Sequence, residues 1–272
     1  MRHDGRVVIP IHDINPVRRV PVVTYALILL NVAVYFFGAG LGDNGMSPRA
    51  PEVCRQDAFV QHYAAIPREL THNRQLEPTP VIIEVGNTEV RCPAAEFHKS
   101  PVLSALTSTF LHGGLLHLLG NMLFLFIFGN NVEDRLGRFR FTGFYLLCGY
   151  TATYGYAFTQ PDSEAPLVGA SGAIAGVLGA YLWLYPRARV ISLVPVLFFL
   201  PVPLPAWVVL SSWFLLQAVY ANGGGLGDGE VAYVAHVVGF VVGLVITALF
   251  IGQRRAHPSA TGPPGPPRAP RR

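Results

Sequence analysis

Residues 168–185 read VGASGAIAGVLGAYLWLY, eighteen consecutive residues without a charged side chain. A helix rises 1.5 Å per residue, so about 20 apolar residues cross the hydrocarbon core of a bilayer. The chain is 51% apolar and only 13% charged, about half the charged share of a soluble protein. The sequence therefore predicts an all-α membrane protein with six transmembrane helices. The other five charge-free windows lie at roughly 21–40, 110–130, 141–160, 203–221 and 231–252.

Two of the apolar stretches are compatible with more than one structure. The window 190–202 is also apolar, but four prolines at positions 195, 201, 203 and 205 disfavour a helix, so we predict a lead-in to the fifth span. The first window is long for the apolar part of a signal peptide, and no small-residue cleavage site follows closely. We therefore expect it to be a retained span.

The connections between the windows differ in their positive charge. The first 20 residues, the loops after the second and fourth windows and the C-terminal tail hold 14 of the 20 basic residues, whereas the loops 161–167 and 222–230 hold none. By the positive-inside rule, both termini are predicted to be cytoplasmic. The regions expected are a cytoplasmic segment at 1–20, a six-span domain at 21–252 and a disordered cytoplasmic tail rich in proline and arginine at 253–272.

A long segment, 41–100, separates the first two windows and is predicted to be a large loop on the outer side. It contains one strand-like alternation at Val81–Val90. Cys54 and Cys92 both lie in this loop, which makes them a candidate disulfide if the outer side is oxidising. Two unpaired buried thiols are the alternative.

No Asp, Glu, Lys or Arg lies inside the six windows. This argues against a proton-coupled carrier, which keeps an ionisable group at depth, and against an intramembrane aspartyl protease, which needs two buried carboxylates. The H-E-x-x-H motif of zinc proteases is also absent from the sequence. Among the uncharged polar residues of the windows, we single out five that the predicted topology places near the outer ends of three helices. They are His112, His117, Asn121, Ser171 and His236.

Small residues surround Ser171, since Gly169, Ala170 and Gly172 flank it and would let a substrate approach the hydroxyl. A serine hydroxyl needs a base to become a nucleophile, and His236 is the candidate. His117 and Asn121 are four residues apart on one helix face, so with the Ser171 amide they can form an oxyanion hole. No carboxylate is available to orient His236, so the sequence predicts a Ser–His dyad.

Two other interpretations concern the same residues. A zinc site of His112, His117 and His236 is disfavoured, because the first two are five residues apart and no Cys, Asp or Glu joins them. We therefore expect no metal and no cofactor. The pairs Gly172/Gly176 and Gly239/Gly243 are typical of helix-packing faces, which would draw the fourth and sixth spans together.

Three segments together resemble the rhomboid family of intramembrane serine proteases: HGGLLHLLGN at 112–121, GASG at 169–172 and AHVVG at 235–239. GNNVEDRLG at 129–137 and YPRAR at 185–189 are similar to bacterial members. The resemblance implies a six-helix bundle with Ser171 as nucleophile and His236 as base. It implies an oxyanion hole of His117, Asn121 and the Ser171 amide. His112, Gly169, Gly172 and Gly239 would be structural residues near the site.

The resemblance also implies a substrate, a location and a gate. The substrate would be a single-pass membrane protein cut near its outer end, and the only other partner would be the lipid bilayer, with no nucleic acid. The location would be the plasma membrane of a bacterium; the oligomeric state stays open. The fifth span and the loop Asn222–Gly229 would form a lateral gate and cap.

The sequence departs from the family at two positions. Some members carry a tyrosine four residues after the serine, where this chain has Ala175, so another group must hold His236. The first outer loop also lacks the Trp-Arg pair of many members, so it must be built differently. Two other functions compete with proteolysis: a catalytically silent rhomboid-like protein that binds membrane clients, and a channel or carrier.

Overall fold

The computed structural model describes residues 9–38, 50–86, 88–194, 199–224 and 232–250. The predicted tail at 253–272 lies outside the described residues, as do the start of the N-terminal segment and most of the predicted cap at 222–229.

The structure is mostly helical. The N-terminal half contains β1 (Ile9–Ile14), α1 (Val22–Ala33), α2 (Ala50–Tyr63), α3 (Pro67–His72), β2 (Val81–Val85), β3 (Thr88–Cys92), α4 (Pro101–Thr107), α5 (Leu115–Phe124) and α6 (Asn130–Leu136). The C-terminal half contains α7 (Arg138–Thr159), α8 (Ser171–Leu184), β4 (Arg189–Val194), β5 (Leu200–Pro205), α9 (Ala206–Val219) and α10 (Tyr233–Phe250). Wider π-helical turns extend α1 through Val34–Gly38 and α9 through Tyr220–Gly224, and a third joins α5 to α6.

Two helices among the described residues are long and apolar enough to cross a membrane, Leu115–Leu136 and Tyr233–Phe250. Three shorter apolar helices accompany them at Val22–Gly38, Ser171–Leu184 and Ala206–Asn222.

Helix α8 lies at the centre of the molecule, and eleven of its fourteen residues are buried. Its glycines allow α10 to approach backbone to backbone. A Cβ placed on Gly239 would overlap the carbonyl oxygen of Gly172, and one on Gly243 would overlap that of Gly176. Small residues permit this close contact, which fixes the separation of α8 and α10.

The second helix differs from its predicted window. The window covers 110–130, but the helix begins at Leu115 and continues through α6 to Leu136, where Gly137 ends it with a φ of 80°. Glu133, Asp134 and Arg135, which lie beyond the predicted window, are therefore helical and do not form a loop. The physical reason is that charge marks the edge of an apolar environment, whereas a helix ends where the backbone changes direction.

The stretch 190–202 is the second difference. It contributes β4 and the start of β5 to an antiparallel sheet with the order β1-β4-β5, in which Arg189 pairs with Pro205 and Asp13 with Val190. The description of the fold as all-α is therefore incomplete. Proline lacks an amide donor, and β5 can hold several because it is an edge strand of the sheet among the described residues.

Residues 50–100, part of the loop predicted to lie on the outer side, form a small folded unit. The alternation at Val81–Val90 is a hairpin of β2 and β3 instead of one strand, with the turn at Gly86. A disulfide joins Cys54 of α2 to Cys92 of β3. Lys99 and Glu69 form a buried ion pair at 2.6 Å. Burial lowers the pKa of Lys99, an effect that the Glu69 carboxylate opposes.

Candidate active site

A cavity of about 930 Å³ opens between α5, α8, α9 and α10. Its lining includes Ser171, His236, His117 and Asn121, the four residues predicted to act together. Among the described residues, no Asp, Glu, Lys or Arg lines this cavity. Any proton transfer within it therefore depends on the two histidines and on neutral hydroxyl and amide groups.

Ser171 is the first residue of α8, and its Oγ lies 2.8 Å from Nε2 of His236. This is hydrogen-bond distance, and it is the arrangement in which an imidazole can take a proton from a hydroxyl. His236 lies in the first turn of α10 and is 9% exposed. The glycine contacts between α8 and α10 set the backbone separation that this short side-chain contact requires.

Gly169 shapes the turn that leads into Ser171. Its φ is 129°, a conformation that residues with a side chain rarely adopt. A Cβ at this position would lie 2.9 Å from Nε2 of His117 and 3.5 Å from Oγ of Ser171. The amide of Gly169 donates to the carbonyl oxygen of Ser108 at 3.0 Å, which fixes the turn against the preceding segment. The lack of a side chain at Gly169 therefore leaves room for the His117 ring beside this turn.

Asn121 lies on α5 and is held by His112. Its Nδ2 lies 3.0 Å from Nε2 of His112, and both residues are buried. The His112 ring also meets the His117 ring edge to face, with centroids 5.2 Å apart. His112 itself lines a separate, smaller cavity of about 200 Å³. It thus lies behind the two residues that reach the main cavity.

Gln217 of α9 is the site residue that the sequence analysis did not single out. Its Oε1 lies 2.7 Å from Nδ1 of His236, and it lines the same cavity. The Trp213 ring packs at 5.9 Å from the imidazole. A glutamine in an apolar window is costly unless it has a partner, and that cost is the signal that could have found it.

A family model described as Rhomboid domain matches residues 99–253, more than half of the chain. The chain belongs to the rhomboid family. Rhomboid proteins are membrane-embedded, so the cavity described above belongs to a membrane protein. Among the described residues, no group of three or more His, Cys, Asp or Glu side chains is arranged to hold a metal ion.

Three relatives illustrate the range of the family. Rhomboid protein 1, mitochondrial, of Saccharomyces cerevisiae is 34% identical over 148 residues, which cover 53% of this chain and 40% of the relative. RHOMBOID-like protein 1 of Arabidopsis thaliana is 26% identical over 233 residues, 83% of this chain and 52% of the relative. The putative rhomboid protease YdcA of Bacillus subtilis is 39% identical over 79 residues, 29% of this chain and 39% of the relative.

This rhomboid chain spans about half the length, or less, of these three relatives. The yeast relative is named as mitochondrial, so the comparisons do not support the expected restriction to a bacterial plasma membrane. They support membrane embedding, which all members share.

Proposed function

We propose that this rhomboid-family chain is an intramembrane serine endopeptidase that cuts transmembrane segments of single-pass membrane proteins near the outer face. The observation that supports this most strongly is the 2.8 Å contact between Ser171 Oγ and His236 Nε2 in a cavity lined by uncharged groups.

In the proposed reaction, Ser171 Oγ attacks the scissile carbonyl carbon while His236 Nε2 takes the hydroxyl proton. The imidazolium then gives that proton to the leaving amine as the C–N bond breaks, which leaves an acyl-enzyme. A water molecule attacks the ester, again with His236 as base, and the Ser171 hydroxyl is released. The large cavity supports this second half, because hydrolysis inside a membrane needs a space that admits water.

The proposed oxyanion hole combines three donors. The amide of Ser171 opens α8, where the free amides of a helix N-terminus favour negative charge. The Asn121 side chain has two N–H groups, and its contact with His112 occupies one of them, which leaves the other for the substrate oxygen. His117, beside Gly169, supplies the third. His112 thus supports the hole by orienting Asn121.

The proposed membrane arrangement has six spans, formed by α1, the continuous helix α5–α6, α7, α8, α9 and α10. Helix α8 has 14 residues, about 21 Å of helix, which is shorter than a hydrocarbon core of about 30 Å. We therefore place Ser171 below the outer surface. The substrate helix would enter between α5 and α9, where the ring centroids of Phe124 and Trp213 are 6.4 Å apart.

The test is covalent labelling of the purified protein in detergent with a fluorophosphonate probe, beside cleavage of a model single-pass substrate. Wild type should take the label, and Ser171→Ala and His236→Ala should not. Cys148→Ala is the matched control, because Cys148 is a free, buried thiol that does not line the cavity. If folded wild type neither labels nor cuts the substrate, the protease proposal fails and a client-binding role replaces it.

A further inference from the structure

We propose that Gln217 is a positioning residue for the general base: its side-chain oxygen holds His236 in the tautomer and orientation that accept the Ser171 proton. This inference rests on the proposed function and deepens it. Its basis is the 2.7 Å contact between Gln217 Oε1 and His236 Nδ1, on the ring edge opposite the serine.

The chemistry of the two ring nitrogens makes this contact decisive. A neutral imidazole carries one N–H and one lone pair. An amide oxygen only accepts, so the nitrogen facing Gln217 Oε1 must carry the proton. Nε2 then presents its lone pair to the Ser171 hydroxyl, as a base must. When Nε2 gains the proton, Nδ1 keeps its own, so the bond to Gln217 persists in the imidazolium state.

Among the described residues, Gln217 Oε1 is the hydrogen-bond partner of His236 Nδ1. The other titratable groups that line the cavity are His117 on α5, Tyr156 on α7, Tyr220 directly after α9 and Tyr233 on α10, and no carboxylate of the described residues lines it. Ala175 of α8, where some family members carry a tyrosine, is buried and has no polar atom in its side chain. Gln217 and His236 are 8% and 9% exposed, so little water can replace the bond.

The helix that carries Gln217 is packed differently from the helices that carry the dyad. The contacts of α8 with α10 are backbone to backbone at glycines. The contacts of α9 with α10 are made by aromatic rings, with Phe214 stacked on Phe240 at a centroid distance of 4.6 Å. Other residues of α9, such as Leu215, are exposed. A displacement of α9 would withdraw the Gln217 oxygen while Ser171 and His236 stay on their fixed helices. The inference therefore includes a coupling: the base is oriented only while α9 lies against α10.

The experiment compares Gln217→Leu and Gln217→Glu with wild type and Ser171→Ala. Its readouts are the fluorophosphonate labelling rate between pH 5 and pH 9, kcat and KM on a model substrate, and the melting temperature. Gln217→Leu removes the acceptor at similar size, so the labelling rate and kcat should fall about 10- to 100-fold. KM should change by less than about threefold, because the lost hydrogen bond is to His236 and not to the substrate.

Gln217→Glu separates positioning from a structural role. It keeps an oxygen at the same place, so it should recover most of the labelling rate at high pH. Its carboxylate also favours the imidazolium, so the acid limb of the pH profile should move to higher pH. The matched control is Ser212→Ala on the same helix, because Ser212 Oγ donates to the Val209 carbonyl oxygen within α9. It should label as wild type does.

Phe214→Ala tests the coupling, because it loosens α9 without touching the cavity lining. It should slow labelling in the wild-type background and cause no further loss in Gln217→Leu. Labelling of Gln217→Leu at the wild-type rate, with an unchanged pH profile, would overturn the positioning role. Independent, multiplicative losses in the double variant would overturn the coupling. An inert but folded wild type would instead overturn the proposed function and this inference with it.

Discussion

Glu133 of α6 holds the start of α1 through Thr24. Its Oε2 accepts hydrogen bonds from the Thr24 amide at 2.7 Å and from Thr24 Oγ1 at 2.8 Å, and its Oε1 accepts from the Val23 amide at 3.0 Å. The residue before α1, Pro21, gives no side-chain cap. A residue more than 100 positions away in sequence thus caps α1, and a carboxylate is well suited to the amides of a helix N-terminus.

Replacing this cap should destabilise the fold. Glu133→Ala leaves buried amides without acceptors, which costs about 1–3 kcal/mol, so we expect a clear drop in melting temperature in detergent. Glu133→Gln keeps one acceptor oxygen, so its melting temperature should lie between those of wild type and Glu133→Ala. Asp134→Ala, at the neighbouring position, is the control. A melting temperature of Glu133→Ala equal to that of the control would show that the cap contributes nothing.

The glycine interface between α8 and α10 should not tolerate one added carbon. A Cβ on Gly243 would overlap the Gly176 backbone, so Gly243→Ala must push the helices apart, and we expect loss of folded protein or of probe labelling. Gly143→Ala is the matched control, because its Cβ on α7 meets no atom within 4 Å. Size-exclusion profiles would report the amount of folded protein, and the fluorophosphonate probe would report its activity. Equal yields of folded protein and equal labelling for the two variants would contradict the need for glycine where α8 and α10 meet.

The turn before Ser171 should be equally specific for glycine. Gly169→Ala combines a strained φ of 129° with a Cβ that lies 2.9 Å from the His117 ring, so probe labelling should fall at least about tenfold. Gly113→Ala also borders the cavity but meets only Val168 at 3.9 Å, an ordinary contact. It should label normally. Normal labelling of Gly169→Ala would mean that the turn does not position the serine.

A pH effect should follow from Asp13 of β1. Burial raises its pKa above the ordinary 3.8, although hydrogen bonds from Tyr181 and Asn131 oppose this. A raised folded-state pKa means that the folded state binds more protons. The stabilising contribution is therefore complete below about pH 3.8 and is lost as the pH rises through the folded-state pKa.

Asp13→Asn removes this titration and keeps an acceptor for Tyr181. On going from pH 7 to pH 4, the melting temperature of wild type should rise relative to that of Asp13→Asn. A melting-temperature difference that stays constant between pH 7 and pH 4, or that moves in favour of the variant, would contradict a raised pKa for Asp13.

The disulfide should stabilise the folded unit at residues 50–100 without serving the active site. Cys54 and Cys92 are 38 residues apart, and cross-linking such a loop contributes up to about 4 kcal/mol in the chain-entropy picture. The double variant Cys54→Ser, Cys92→Ser should make residues 50–100 more sensitive to limited proteolysis. Labelling of Ser171 should stay within about twofold, because these cysteines pack in a separate cluster. A large loss of labelling would instead link the folded unit at residues 50–100 to catalysis.

The helical core could be read from the sequence because its signals are local. Charge-free windows mark where most of the helices lie, since their composition reflects an apolar surrounding. The motifs around His117, Ser171 and His236 carry enough chemistry to name the candidate residues, which the structure brings to one cavity. Helix ends were less predictable, because Leu115 and Leu136 are set by backbone turns and not by charge.

The sequence by itself thus determined the class of protein and the residues that carry the proposed chemistry, because apolar length and side-chain type are properties of single segments. Only the tertiary structure decided which contacts join those segments. Gln217 bonds His236, Glu133 caps the start of α1, and β5 pairs with β4. Each of these contacts joins residues whose partners are chosen by the packing of whole helices and strands. A hydrogen bond between distant positions leaves no periodicity in the chain from which it could be predicted.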